Sequence, residues 1–319
     1  MDTVIIDGLS FALPLFIMAI GGIYSERSGI TNLAIEGLQG FGAFFSALFV
    51  VLVAHFFNIP IQKLLYLALF LAMVGGMLFS ILHALLCIHF KANQVISGVV
   101  INILSMALTV FLTTQINSIV FDTMSDKFQI GTSHRFTIAG LSKLPVIGSV
   151  FKNIYPFEMV ILVIAIFAAY VLNKTRFGLR LRACGDNPHA VDAAGIEVSR
   201  VQFLAVMVSG ALSGLGGISF AYSISTNFSP AIYMGYGYLA IAALIFGNWK
   251  VLPTFGACLL FGFARSGGYY IGQILKMPST FSDLIMILPY VLTLLLLIFF
   301  SKSNRAPRAL GEIYDKGKR

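Results

Sequence analysis

Charged residues are scarce in this sequence: Asp, Glu, Lys and Arg together make up 11% of its 319 residues. A soluble domain carries about 25% of these residues, so the scarcity excludes an ordinary water-soluble fold. The chain is instead 58% hydrophobic, with a mean hydropathy of +0.90. Its apolar runs of about 20 residues have the length of a membrane-crossing helix. Short alternating strands, typical of membrane barrels, are absent, so we expect an all-α, polytopic transmembrane bundle.

The residues needed for metal binding and for catalysis are also missing. The three cysteines are an odd number at spacings that fit neither a disulfide framework nor a metal site. His83, His89 and His189 do not form an H-x-x-x-H pattern with carboxylates, so we predict no metal site. No paired catalytic groups and no G-x-x-x-x-G-K-[ST] loop occur. The chain is therefore predicted to be neither an enzyme nor an ATPase, and any ATP must be bound by a partner subunit.

The net charge of +8 does not indicate nucleic-acid binding, because no basic patch with interleaved aromatic residues is present. The basic residues instead concentrate in two short segments, 174–200 and the tail 302–319. Short basic segments beside spans remain in the cytoplasm, so we expect both segments there. The first residues offer only Asp2 and Asp7, which predicts an external N-terminus. Residues 1–24 lack a basic leader region and are predicted to be a retained first span.

The apolar runs predict about nine spans, with a range of eight to ten because Gly and Pro interrupt several of them. The runs are 4–24, 34–57, 64–90, 95–116, 157–172, 203–225, 236–249, 251–272 and 283–301. They predict one transmembrane domain over residues 1–301, followed by a basic cytoplasmic tail. Within the domain, segment 174–202 is predicted to be cytoplasmic and loop 117–156 external. In "SGALSGLGG", Gly210 and Gly214 are four residues apart, a spacing that allows close helix packing.

The polar stretch "RACGDNPHAVDAAGIEVSR" (182–200) interrupts this apolar chain. Asn187 and Pro188 predict a helix start, because Asn accepts from free backbone N–H groups and Pro suits the first helical position. Gly195 predicts its end. The intervening helix has about two turns, too few to cross a bilayer or to be stable alone in water. It therefore requires a docking partner, or else it rests on the membrane face of its own bundle.

Residues 178–218, "GLRLRACGDNPHAVDAAGIEVSRVQFLAVMVSGALSGLGGI", resemble the cytoplasmic coupling segment of bacterial ABC-importer permeases for branched-chain amino acids, ribose and nucleosides. In that family a short helix between two spans inserts into a cleft of the ATPase subunit. The resemblance implies that residues 187–195 dock to the ATPase. The residues to which it assigns this role are Asn187, Pro188, His189, Ala190, Asp192 and Gly195.

Further segments are similar to the nucleoside branch of that group. They are "ERSGITNLAIEGLQGFGAF" (26–44), "LSKLPVIGSVF" (141–151), "GYGYLAIAALIFGNW" (235–249) and "PSTFSDLIMILPYVLTLLLLIF" (278–299). The resemblance implies a permease subunit of a nucleoside importer in the cell membrane. Its implied partners are an ABC ATPase, a second, related permease and an external substrate-binding lipoprotein.

Polar residues inside or beside spans are candidates for the substrate pathway, because such residues are costly in lipid and tend to mark function. Asn32 and Glu36 belong to a segment, 26–37, that is either a broken helix in the pathway or a cytoplasmic turn. Asn93, Gln94 and Asn102 offer amide donors and acceptors that suit a base or a ribose. They suit helix-to-helix hydrogen bonds equally well.

Arg265 and Asp283 flank the last external connection and are expected to form a salt bridge there. A permease for simple sugars or branched-chain amino acids is the nearest alternative function. An ion-coupled secondary transporter is a more distant one, because it would need more buried carboxylates than the sequence supplies.

Overall fold

The computed structural model describes residues 2–131, 133–143, 147–231, 235–276, 287–300 and 305–317. Helices make up most of the described chain. In chain order they are α1 Asp2–Arg27, α2 Ile35–Phe57, α3 Leu65–Ala84, α4 Gln94–Phe121, α5 Pro156–Lys174, α6 Arg176–Asp186, α7 Pro188–Ala193, α8 Val198–Phe220, α9 Tyr236–Phe246, α10 Val251–Ile274 and α11 Leu288–Phe300. π-Helical turns at Leu85–His89 and Ala221–Ser225 extend α3 and α8. The predicted all-α class is confirmed for the described residues.

Six helical segments are long and apolar enough to cross a membrane. They contain α1, α2, α3, α4, α5 and α8, and they match the first six predicted apolar runs. α9 has only 11 residues, or about 16 Å, which is roughly half the thickness of a bilayer core. α10 has 24 residues but is not among the six. The last predicted run, 283–301, begins outside the described residues. Within this run, α11 covers Leu288–Phe300.

α1 and α8 form the centre of the bundle. α1 is buried from Ser10 to Glu26 and packs against α8 and α10, while α8 also packs against α2 and α3. A Cβ added at Gly214 would collide with the carbonyl oxygen of Ala72, and one added at Gly210 would collide with the carbonyl oxygen of Gly76. The close packing predicted from "SGALSGLGG" is therefore confirmed, and it joins α8 to α3.

α4 has an exposed side that is apolar and a buried side that is polar. Its inward side is polar, whereas its outward side is apolar, with Ile103 65% exposed and Phe111 59% exposed. The buried polar residues are Gln94, Ser97, Ser105, Thr109, Thr113 and Asn117. This pattern is the reverse of a soluble amphipathic helix and is expected where lipid or a partner subunit covers the outside.

The two ends of the bundle carry different connections. At the loop end, which comprises Asp2 and the loop 122–155, the Lys152 ammonium lies 2.8 Å from the Asp2 carboxylate. Here strand β1 (Phe128–Gln129) pairs antiparallel with β2 (Asn227–Phe228). At the α7 end, which comprises the α1–α2 link 28–34, α6, α7 and the tail 305–317, Ala309 N–H donates to the carbonyl oxygen of Gly185 (2.8 Å). The described N-terminal residues and the described tail therefore lie at opposite ends of α1.

Candidate functional site

α7 has the helix boundaries that its sequence predicts. The Asn187 side chain accepts a hydrogen bond from Ala190 N–H (3.0 Å), and Pro188 occupies the first helical position. Gly195 follows the helix with φ of +77°, a left-handed conformation that glycine adopts without steric cost. Pro188 and Val191 are buried, whereas Asn187, His189 and Ala190 are exposed. α7 is thus anchored by one apolar side and presents a small, exposed surface on the other.

α6 directly precedes α7 in the chain and packs against the end of α1. Thr175 caps its start by accepting from Gly178 N–H (3.2 Å), and Leu181 and Cys184 are buried. A Cβ added at Gly185 would clash with the carbonyl oxygen of Arg27, so α6 lies directly against the end of α1. Burial raises the pKa of the Cys184 thiol to about 11, which keeps this free cysteine protonated at neutral pH.

The tail 305–317 binds across the α7 end. Gly311 N–H donates to the carbonyl oxygen of Gly29 (3.0 Å), which places the tail beneath the α1–α2 link. The rings of Tyr314 and His189 are 5.3 Å apart, and the Lys316 ammonium lies 3.6 Å from the Asp192 carboxylate. The tail therefore contacts α7 and the link between the first two helices at the same time.

Three of the five pathway candidates hold the α1–α2 link in place. The Asn32 amide donates to Ser209 Oγ (2.8 Å), and Gln94 Oε1 accepts from Thr31 N–H (2.7 Å). Asn102 accepts from Gly37 N–H (2.8 Å) and donates to the carbonyl oxygen of Leu33 (2.9 Å). A fourth candidate, Glu36, lies in the first turn of α2 and has its partners in α9.

Glu36 lies at the start of the short helix α9. Its two carboxylate oxygens accept hydrogen bonds from Gly235 N–H and Gly237 N–H, at 2.6 Å each. These N–H groups belong to the first turn of α9 and have no partner within that helix. Tyr238 of α9 accepts from the Asn102 amide (3.0 Å), so Glu36 and Asn102 meet at the same helix start.

Asn93 lies apart from this group. It is exposed and caps α4 by accepting from Val95 and Ile96 N–H groups, at 2.9 and 3.1 Å. Glu26, at the end of α1, is also buried and accepts from the indole N–H of Trp249 (2.5 Å).

Segment 26–37 contains an interruption between α1 and α2. The chain leaves the helix after Arg27 and re-enters it at Ile35, and the link between is buried, with Ser28 and Asn32 fully enclosed. The segment is a turn in its connectivity, but its polar groups lie inside the protein. Buried interruptions of this kind occur where transporters line a cavity.

A cavity of about 500 Å³ at the loop end was not predicted from the sequence. It lies between α1, α10 and the loop, with Asp7, Ser266 and Gln273 among its polar lining residues. The guanidinium of Arg265 lies 4.5 Å from the ring centre of Phe11, 5.4 Å from that of Tyr269 and 5.9 Å from that of Tyr236. Asp283, its expected partner, lies outside the described residues.

Sequence reasoning also missed the roles of the tail and of α9. The tail's contacts use the backbone N–H groups of Ala309 and Gly311, and a side-chain pattern does not predict such contacts. The half-length of α9 has one signal in the sequence: Gly235 and Gly237 flank its first residue, Tyr236. No cluster of three or more metal-ligating side chains occurs among the residues that the structure describes.

These features define a multi-pass membrane protein whose buried polar residues gather where helices are interrupted. Residues 4–299 match the family described as branched-chain amino acid transport system, permease component. The chain belongs to this family of transport components.

Named relatives match along nearly the whole chain. The guanosine ABC transporter permease protein NupQ of Bacillus subtilis is 38% identical, over 98% of this chain and 96% of the relative. The nucleoside ABC transporter permease protein NupC of Lactococcus lactis is 36% identical, over 100% of this chain and 98% of the relative. A second Bacillus subtilis protein, the guanosine ABC transporter permease protein NupP, is 27% identical over 95% of this chain and 82% of its own length. No solved structure matches the chain.

Proposed function

We propose that this chain is a permease subunit of an ATP-driven ABC importer that carries nucleosides into the bacterial cytoplasm. The observation that carries the proposal is the similarity to NupQ and NupC along the full length of all three chains. The exposed α7 supports it, because a chain without its own ATPase motif needs a surface through which a partner can move it. The substrate is proposed from the names of these relatives.

α7 docks to the ATPase in this proposal. Its exposed residues Asn187, His189 and Ala190 enter the partner's cleft, while Pro188 and the turn at Gly195 hold α7 in position. Asp192 contacts the tail through Lys316. Closure of the ATPases then moves α6, α7 and the helices joined to them as one rigid unit. This assignment makes the α7 end cytoplasmic and the loop end external, with about nine crossings between an outer N-terminus and an inner C-terminus.

The substrate pathway begins at the cavity of the loop end. Tyr236, whose ring centre lies 5.9 Å from the guanidinium of the cavity's Arg265, is the first residue of α9, where Glu36 and Asn102 meet. Aromatic rings and hydrogen-bonding groups suit a base and a ribose, and a helix start at mid-depth suits polar solutes. The route continues past Asn32 and Gln94 toward the α7 end, where Asn93 lies at its exit.

The proposed partners are an ATPase subunit, an external substrate-binding lipoprotein and a second, related permease. NupQ and NupP are two different permeases of one organism, and both carry guanosine in their names. This pairing supports a transporter built from two related permeases in the cytoplasmic membrane.

Uptake of labelled guanosine, adenosine and ribose tests the function. Cells that lack only this chain should lose nucleoside uptake, and the parent's uptake should stop when ATP is depleted but not when the proton gradient is collapsed. Loss of ribose uptake alone would retain the ABC mechanism and overturn the substrate. Uptake that follows the gradient would instead indicate an ion-coupled transporter.

Variants of Gly195 and Pro188 test the docking role of α7. Gly195→Val should abolish uptake while membrane insertion stays normal, because a β-branched residue resists a φ of +77°. Gly195→Asn should retain uptake, since Asn tolerates this conformation. Pro188→Trp should also abolish uptake, because Pro188 is on the buried side of α7 and leaves no room for a large ring. Gly140→Val, in open space at the loop end, is the matched control; normal uptake by Gly195→Val would count against docking.

A further inference from the structure

Four arginines surround one cavity at the α7 end. The cavity has a volume of about 470 Å³ and lies between the end of α1, α6, the residue Trp249 and the start of the described tail. Its basic residues are Arg27, Arg182, Arg305 and Arg308, and its acidic residue is Asp186. Among the described residues, no carboxylate lies within 4 Å of any of the four guanidinium groups. The cavity therefore carries a large excess of positive charge.

The fold holds these charges together although they repel one another. Arg27 is the last residue of α1, where Arg182 of α6 repels its charge and Asp186 of the same helix attracts it. Arg305 is fixed by its backbone N–H, which donates to the Asn248 side chain (2.8 Å), and Arg308 precedes Ala309, which is bound to Gly185. Four like charges brought close by backbone contacts form a site for an anion.

An apolar groove leads away from this cavity. It has a volume of about 580 Å³, and α5 and α10 form its walls, with Leu162, Ile166, Leu252 and Phe255 in its lining. Arg27 and Trp249 line both the cavity and the groove, so the two adjoin at these residues.

The groove has the length of one lipid leaflet. It reaches from Arg27 to Phe16, which is 11 residues or about 16 Å along α1. Half of a bilayer core is about 15 Å thick. The indole of Trp249 lies at the junction of the cavity and the groove.

We infer that this cavity and groove together bind one anionic phospholipid in the leaflet at the α7 end. The four arginines bind the phosphate of its headgroup, and an acyl chain lies between α5 and α10. A free phosphate or an acidic side chain of a partner would satisfy the charges but would leave the groove unused. The site brings together α1, α6, α10 and the tail, so the lipid would stabilise the arrangement on which α7 rests.

Lipid retention by the intact transporter tests this inference. The chain is purified with its partner subunits in nanodiscs of phosphatidylcholine, with or without added phosphatidylglycerol, and its bound lipids are counted by native mass spectrometry. We expect one phosphatidylglycerol per copy of this chain. Arg182→Gln and Arg308→Gln should each weaken retention about fivefold, and the double variant about 25-fold. Arg180→Gln is the matched control, because Arg180 lies on the same helix, is exposed and does not line the cavity.

A second variant tests the groove without changing charge. Ala169→Trp should fill the groove and reduce retention, whereas Val163→Trp, on the exposed side of the same helix, should not. Equal retention by the arginine variants and the control would overturn the site. Displacement of the lipid by inorganic phosphate alone would assign the cavity to a soluble anion. A cross-link from Arg308→Cys to the ATPase, with no lipid retained, would assign it to the partner.

Discussion

Glu36 fixes the start of α9, the helix end that we place in the proposed substrate pathway. Its carboxylate accepts from two N–H groups at the start of α9. Glu36→Ala should lower the free energy of unfolding by about 2 kcal/mol, because these N–H groups lose a charged acceptor. The measurement is thermal unfolding of the purified transporter, together with uptake.

Glu197→Ala is the matched control for Glu36, because Glu197 precedes a helix but its side chain is 66% exposed. Its effect should remain within about 0.5 kcal/mol. Equal stability of both variants would show that Glu36 does not maintain the start of α9. In that case its role in the pathway would have to be direct contact with the solute.

Arg265 is the residue whose substitution should affect transport most directly at the loop end. It is a charged residue within α10 and is held against the rings of Phe11, Tyr236 and Tyr269. Charged residues inside membrane-spanning bundles are costly and tend to mark function. Arg265→Gln should reduce the initial rate of guanosine uptake by about tenfold or more, since one planar set of donors is lost. Rates are measured per folded transporter, quantified by size-exclusion chromatography.

Two comparisons separate transport from folding in the Arg265 experiment. Arg265→Lys keeps the charge but not the planar stacking and should give an intermediate rate. Ile271→Ala changes the exposed side of the same helix and should leave the rate unchanged. If Arg265→Gln lowers only the folded amount and not the rate, Arg265 is a packing residue.

At the scale of helices, the sequence predicts those features that are determined by residues a few positions apart in the chain. α7 was predicted from Asn187, Pro188 and Gly195 because a cap, a first-turn proline and a terminal glycine act within a few residues. The short length of α9 was not predicted, because its start is fixed by Glu36, about 200 residues earlier in the chain. The tail's position was missed for the same reason: its partners are the backbones of Gly29 and Gly185.

The tail is the element whose removal should separate ATP hydrolysis from transport. It contacts α7 through Tyr314 and Lys316 and the α1–α2 link through Gly311. Deleting residues 305–319 should leave ATP hydrolysis largely intact but abolish uptake, because α7 loses its direct connection to the link. Both rates are measured on reconstituted transporter with its binding protein.

Glu312→Gln is the control for the tail deletion. Glu312 is exposed, and its contact with Gln94 uses the backbone carbonyl oxygen, which the substitution retains. Its uptake should therefore be normal. Normal uptake by the deletion variant would show that α7 moves the bundle through α6 and α8 alone.

At the scale of the whole molecule, composition predicted the fold class but not the length of each helix, which depends on packing. The 11% charged content and the apolar runs were sufficient for an all-α membrane bundle, because lipid permits few alternatives. The same runs did not distinguish a full crossing from the 11-residue α9, since hydrophobicity alone does not report where a helix begins. The outward apolar side of α4 is a surface for lipid or for a second permease.

The last prediction concerns that second permease. If the transporter pairs two related chains, as the names of NupQ and NupP suggest, two differently tagged copies of this chain should not purify together. Each tag should instead retrieve the related permease and the ATPase in equal amounts. Co-purification of both tags, at a yield that withstands dilution, would show a homodimer. A homodimer would place two identical α7 surfaces on the ATPases, whereas the mixed pair would let each ATPase meet a different docking helix.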